Sequence, residues 1–256
     1  MGYDIQKADF WKRISAWLLD FVLLITVIVI VSIPLSALFK YDEKLQVVES
    51  VENEYREEMV KSGLNPDITR EELEKLSAEE RAKYDAVDDK RSTDERLIIG
   101  YSLLSDIVVT MISVSILLAY LILEFAVPII FKNGQTLGKK VFGLGVVHTN
   151  AVKLRGQAHF IRSVIGKCAI ETMVPVFFIM MVLFGNLGTV GLILLVLMLG
   201  LQVFAVASTK TRSAIHDLIS DTAVVDLASQ TIFENYDELM AYKNKLHEEA
   251  ASRQDY

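Results

Sequence analysis

Val22-Leu-Leu-Ile-Thr-Val-Ile-Val-Ile-Val-Ser-Ile33 decides the fold class. It lies within residues 14–39, where Asp20 is the only charged residue. A helix needs about 20 apolar residues to cross the hydrocarbon core, because lipid leaves no backbone group a partner outside the segment. The stretch is long enough. A cleaved signal sequence is the competing reading, but its apolar region usually spans only ~7–15 residues. Leu35-Ser-Ala37 is also a loose match to a cleavage site, so the segment is read as an uncleaved first span.

Working outward, residues 97–131 hold a second span, with Asp106 and Glu124 as their only charges. Residues 169–207 are too long for one crossing and are interrupted by Gly185-Asn-Leu-Gly188, a turn sequence. They are read as a helical hairpin with spans near 169–185 and 188–207. The composition agrees: of 256 residues 52% are hydrophobic, and the mean hydropathy of +0.36 is high for a soluble domain. Cys168 is the only cysteine, which rules out an internal disulfide framework. The expected class is an all-α membrane protein, a bundle of about four transmembrane helices with a helical extracytoplasmic insertion.

Charge sets the expected orientation. Lys7, Lys12 and Arg13 precede the first span, and Lys210 and Arg212 follow the fourth. Residues 132–168 carry Lys132, Lys139, Lys140, Lys153, Arg155, Arg162 and Lys167 and no acid. Four spans put all three basic segments on one side, which the positive-inside rule makes cytoplasmic. Both termini are then cytoplasmic, in the plasma membrane. Residues 40–96, with 18 acidic and 11 basic residues, face outward. The whole chain's net charge of −7 argues against nucleic acid as a partner.

The chain thus divides into residues 1–39, the N-terminus and first span; 40–96, an acidic helical loop; 97–226, the remaining spans with the basic loop; and 227–256, a polar tail. Within the loop, Leu45, Val48, Val51, Tyr55 and Met59 recur at helical spacing, and Thr69 with Glu72 forms a capping box opening a second helix. That helix carries Leu73, Leu76 and Tyr84 on its apolar side. Val141 to Val147 has strand composition, Arg162 to Lys167 suggests an interfacial helix, and the tail suggests one amphipathic helix.

Catalytic patterns fail when tested. Gly134-Gln-Thr-Leu-Gly138-Lys139-Lys140 looks like a phosphate-binding loop, yet three residues separate its glycines where four are required. Lys140 also stands where a hydroxyl should hold magnesium. There is no nucleophile elbow and no zinc-protease helix. His216, Asp217 and Asp221 are too few to specify a metal, and a His-Asp pair more often makes a hydrogen bond or ion pair. The reading is therefore a protein that is not an enzyme, with no catalytic residue, metal or cofactor.

Intramembrane acids are costly and need partners. Asp20 lies seven residues after Arg13, about 10 Å along the helix, and Glu124 eight before Lys132, about 12 Å, so the two reach similar depth below one face. Glu171 lies four residues past Lys167, and Gln202 eight before Lys210. Asp20, Glu124, Glu171 and Gln202 are thus expected to form one polar layer, with Lys139 or Arg162 as charge partners. Either the layer fixes packing, or it binds a cation or exchanges protons.

Ala8-Asp-Phe-Trp-Lys-Arg13-Ile-Ser-Ala-Trp-Leu-Leu-Asp20 resembles the opening of the RDD family of prokaryotic membrane proteins, named for one arginine and two aspartates. Gly134-Gln-Thr-Leu-Gly-Lys139, Gly143 to Val147, Arg162, and Ser213-Ala-Ile-His-Asp217-Leu-Ile-Ser-Asp-Thr222-Ala-Val-Val225 extend the resemblance in order over residues 8–226. It implies that Arg13, Asp20 and Asp217 are the signature residues. Two features depart from the family: residues 40–96 are longer than its usual first loop, and Asp221 stands where a glycine often precedes the threonine. The resemblance implies transport of an unidentified ligand or cation/proton exchange. The alternative it implies is a non-catalytic subunit that binds and regulates a partner membrane protein. Candidate partners are the bilayer, a second copy of the chain, or another membrane protein. Arg13 is expected to bridge to Asp217 or Asp20.

Overall fold

The computed structural model describes residues 5–6, 8–131, 134–183, 188–209 and 213–254. Lys7, Lys132, Lys210, Arg212 and most of the Gly185-to-Gly188 turn lie outside them. The order of elements is α1 (Phe10–Leu38), α2 (Tyr41–Lys61), α3 (Arg70–Glu74), α4 (Ala78–Thr93), α5 (Glu95–Phe131), α6 (Leu137–Val141), β1 (Leu144–His148), α7 (Gly156–Leu183), α8 (Gly188–Ser208), α9 (Ile215–Ile219), β2 (Thr222–Asp226) and α10 (Tyr236–Gln254). The helices α1, α5, α7 and α8 are long and apolar enough to cross a membrane. The chain is an all-α membrane protein carrying one small sheet.

Three sequence expectations need correction. The helix that carries the third span begins at Gly156, so the segment from Arg162 to Lys167 is continuous with it and not a separate helix. Its charged residues did not end the helix because each finds a partner inside the protein: Arg162 meets Asp217, Lys167 meets Glu124 and Glu171 bonds His216. The strand read over Val141 to Val147 starts only at Leu144; Leu137–Val141 is a helix, capped by the Thr136 hydroxyl accepting the Lys139 N–H. The helix opened by Thr69 stops at Glu74, and a second capping box, Ser77 with Glu80, starts α4.

Two compact units share the chain, residues 32–114 and residues 1–31 with 115–256. In the first, Val48 and Val51 of α2 pack with Leu97 and Leu104 of α5, and Tyr41, Leu45 and Tyr55 flank them. Gly100 is required there, since a Cβ would stand 2.5 Å from a Val48 methyl. Arg91 to Glu52 and Lys90 to Glu58 tie α4 to α2 at 2.9 and 2.7 Å. Such exposed pairs contribute little each, about 0.2–1 kcal/mol, so the apolar contact fixes the register.

In the second unit the sheet is the centre. Ala8 and Ala16 from the start of α1 pack on Leu144, Val146 and Val224, with Leu154 beside them. Strands β1 and β2 are antiparallel, and Val146 faces Val224 at the centre of the register. The two strands close two copies of one unit, offset by 78 residues. Helix Leu137–Val141 matches Ile215–Ile219, left-handed Gly143 (φ 67°) matches left-handed Asp221 (φ 50°), and Leu144–His148 matches Thr222–Asp226. Val146 therefore pairs with its own counterpart, and a local two-fold axis passes through that pair.

Candidate functional site

The helix α6 presents the free N–H groups of its first turn, and the Asp20 carboxylate of α1 occupies them. The Gly138 N–H donates to Asp20 at 2.7 Å, and the Thr136 hydroxyl donates to the other carboxylate oxygen. Lys139 Nζ donates to Thr136 at 3.2 Å and lies 3.9 Å from Asp20. A helix N-terminus favours an anion in this position. The loop that mimics a phosphate-binding motif thus holds one of the chain's own carboxylates. Gly138 makes the approach possible, because a Cβ there would collide with the Ala16 carbonyl oxygen.

The helix α9 repeats the arrangement with other residues. Its N-cap, Ala214, has no side chain to cap with. The Glu171 carboxylate of α7 accepts the His216 N–H at 2.8 Å and lies 2.7 Å from His216 Nδ1. Arg162 Nε donates to Asp217 at 2.8 Å, and an Arg162 terminal nitrogen lies 3.1 Å from His216 Nε2. Guanidinium can only donate, so Nε2 accepts and Nδ1–H donates to Glu171: the ring is a neutral bridge between the two. Burial also pulls His216 below its usual pKa. For Asp217, burial works to raise the carboxyl, but the Arg162 guanidinium outweighs it and holds it far below the carboxylate range. Thr222 adds a donor at 3.1 Å. Gly166 lets α7 reach this helix, since a Cβ would stand 2.6 Å from that of His216.

Widened turns align these groups. Residues 161–173 of α7 and 121–126 of α5 have π-helical hydrogen bonding. Arg162 and Glu171 are nine residues apart, two and a half α-turns, which would put them on opposite faces. With i→i+5 bonding, nine residues make about two turns, and both face α9. Both widened segments run into Glu-x-x-Val-Pro: Glu124 to Pro128 and Glu171 to Pro175. Proline clashes with the carbonyl four residues before it and has no N–H to offer it. At Pro128 that carbonyl belongs to Glu124, and the Ser163 hydroxyl donates to it instead. The Glu124 carboxylate accepts from Lys167 at 2.6 Å. A twice-occurring Glu-x-x-Val-Pro was the sequence signal for these turns, and sequence reasoning passed over it.

Four expected acids are thus each brought onto a base; Lys139 beside Asp20 is an expected pairing, and the other three were not foreseen. Asp20 meets Lys139, Glu124 meets Lys167, Glu171 meets His216, and Asp217 meets Arg162. Asp217 is bonded by Arg162, and the Arg13 charge acts on it more weakly. Gln202 does not join the layer and makes no hydrogen bond to it among the described residues. Lys167 and His216 were missed as partners. No group of three or more potential metal ligands exists among the described residues. Asp221 instead accepts from Thr149 at 2.6 Å.

The two aspartates named by the resemblance therefore sit on the two matched helix starts, one plugging α6 from outside and one standing inside α9. The RDD family model matches residues 7–221 of this sequence. The chain belongs to the RDD family. No curated protein and no solved structure matches it. In this RDD protein Asp20 and Asp217 are parts of two equivalent anchors between membrane helices and the sheet, and the glycine position of the family pattern is the left-handed Asp221.

Proposed function

We propose that this RDD protein is a non-enzymatic transport protein of the plasma membrane that exchanges protons for another ion, with Asp20, Glu124 and Lys139 as the exchanging group. One observation carries the reading: Asp20 and Glu124 line one narrow crevice with Leu23, Leu24, Leu123 and Leu137, and buried Lys139 lies 3.9 Å from Asp20. Burial, with the nearby Lys167 charge, pushes Lys139 down to about 7 against the pull of Glu124 and Asp20. A lysine near neutrality between two acids changes its charge where a proton-coupled carrier works. The test is proteoliposomes containing a pH-sensitive dye. Salt-driven proton movement is expected for the wild type, with a pH dependence centred near 7 that Lys139→Met abolishes. Wild-type flux no greater than that of empty liposomes would end the proposal.

A second reading has its own support. The fourth span, α8, buries only Gly191 and Ala205 and leaves Val190, Ile193, Val196, Leu197 and Phe204 exposed. A membrane subunit that regulates a partner would use such a face. Co-purification of a stoichiometric membrane protein, with no proton flux, would favour it.

A further inference from the structure

The two spans that carry the anchoring acids, α1 and α7, begin differently. At the start of α1, Asp9 caps the helix, accepting the N–H groups of Trp11 and Lys12 at 2.9 and 3.1 Å. At the start of α7, the N-cap residue is Arg155 and no side chain caps the free N–H groups. Gly156 follows, with open space where a Cβ would point. A groove lies there, lined by Gly156, His159, Lys153, Leu154, Pro128 and Ile129. His159 is only 5% exposed, lines this groove, and its imidazole makes no hydrogen bond among the described residues. Its ring nitrogens are not among the sealed, unpaired polar atoms, so the imidazole is open to this groove and can donate to a ligand there.

The charge around it is positive. Residues 132–168 hold seven basic residues and no acid. Among them Lys139, Arg162, Lys167 and Lys153 have carboxylate partners, that of Lys153 being Glu234 at 2.8 Å. Arg155 is exposed and makes no ion pair among the described residues. The groove thus combines an open helix start and the His159 imidazole with an apolar wall of Pro128, Ile129 and Leu154, and exposed Arg155 stands in the chain between two of its lining residues, Leu154 and Gly156. The helix start, the imidazole and Arg155 suit a phosphate and the wall suits a hydrocarbon chain.

We propose that this groove at the head of α7 binds an anionic phospholipid, its phosphate held by the first-turn amides, the His159 imidazole and Arg155. The apolar wall favours a lipid over free phosphate, which has no use for Pro128 and Ile129. The asymmetry with α1 then has a reason: one span carries its own anion as Asp9, and the other takes one from the bilayer.

The test uses the full chain in nanodiscs of phosphatidylcholine with a minority of phosphatidylglycerol, and native mass spectrometry of the lipids retained. Wild type is expected to keep phosphatidylglycerol enriched about tenfold over its share of the disc. Arg155→Glu and His159→Leu should return the ratio to that of the disc, while Lys245→Glu, an exposed change on α10, keeps the enrichment. If His159→Leu fails to fold, Arg155→Glu at its exposed position decides. Retention of lipid in disc proportion by wild type, or unchanged enrichment in Arg155→Glu, overturns the proposal. So does saturable binding of inorganic phosphate in pure phosphatidylcholine discs without any lipid preference, which would make the ligand a soluble anion.

Discussion

The units α6–β1 and α9–β2 have one backbone and opposite charge. Lys139 and Asp217 hold the same place in their helices, third after the cap, and each meets its opposite on a span: Asp20 on α1 and Arg162 on α7. A helix start favours a negative charge and disfavours a positive one. Asp217 sits with that preference and Arg162 holds it ionised; Lys139 sits against it, and burial, with the Lys167 charge nearby, pushes it down to about 7. The same scaffold therefore gives one fixed ion pair and one titratable pair. The first suits a permanent joint and the second suits a moving part.

The largest expected effect comes from breaking the fixed pair. Arg162 and Asp217 side chains are 3% and 1% exposed. Arg162→Leu strands Asp217 and removes the donor to His216, which should cost about 3–5 kcal/mol, enough to lower yield and melting temperature sharply. Lys139→Leu, its counterpart, removes a cation whose charge burial already disfavours and should cost much less. Thermal melts of the two variants in one detergent compare them. Equal losses would mean that the two anchors do not differ in the way their charges indicate.

A smaller effect separates the two carboxylate plugs. Asp20→Asn and Glu171→Gln keep shape and remove charge, so each weakens hydrogen bonds worth about 1.5–3 kcal/mol to its own helix. Hydrogen exchange should speed up at amides 138–141 in the first variant and at 216–219 in the second, with the other helix still protected. Loss of protection at both helices in either variant would show one cooperative body in place of two local anchors.

Much of this was legible in the chain. The four spans followed from apolar length alone, because lipid imposes a single requirement on every crossing segment. Asp20, Glu124 and Glu171 were visible as costly intramembrane acids. Their partners were not, because pairing depends on helix phase, and phase was read at 3.6 residues per turn. The π turns before Pro128 and Pro175 changed that phase and delivered Lys167 to Glu124 and Arg162 to His216. The duplicated unit was hidden for a different reason. Leu137-Gly-Lys-Lys-Val and Ile215-His-Asp-Leu-Ile share no polar residue, since the fold asks only for a short helix, a left-handed residue and a strand. The loop from Gly134 to Lys139 takes the Asp20 carboxylate, more than a hundred residues earlier in the chain, and that contact has no local signature.

The left-handed residues give the smallest contrast. Gly143 and Asp221 end the two short helices at φ 67° and 50°. Glycine takes that region freely, and a residue with a Cβ pays roughly 1 kcal/mol there. Nothing lies within 4 Å of a Cβ built on Gly143, so Gly143→Ala carries the backbone cost alone, about 1 kcal/mol. Asp221→Gly recovers that cost but loses the hydroxyl bond from Thr149 at 2.6 Å, worth about 1 kcal/mol or more to a charged acceptor. The two terms nearly cancel, so Asp221→Gly should melt within a degree or two of wild type while Gly143→Ala melts lower. In a Thr149→Val background the bond is already gone, and Asp221→Gly should then raise the melting temperature. If it does not, the aspartate is held there by something other than its one hydroxyl partner, and the two ends of the repeat are less alike than their backbones.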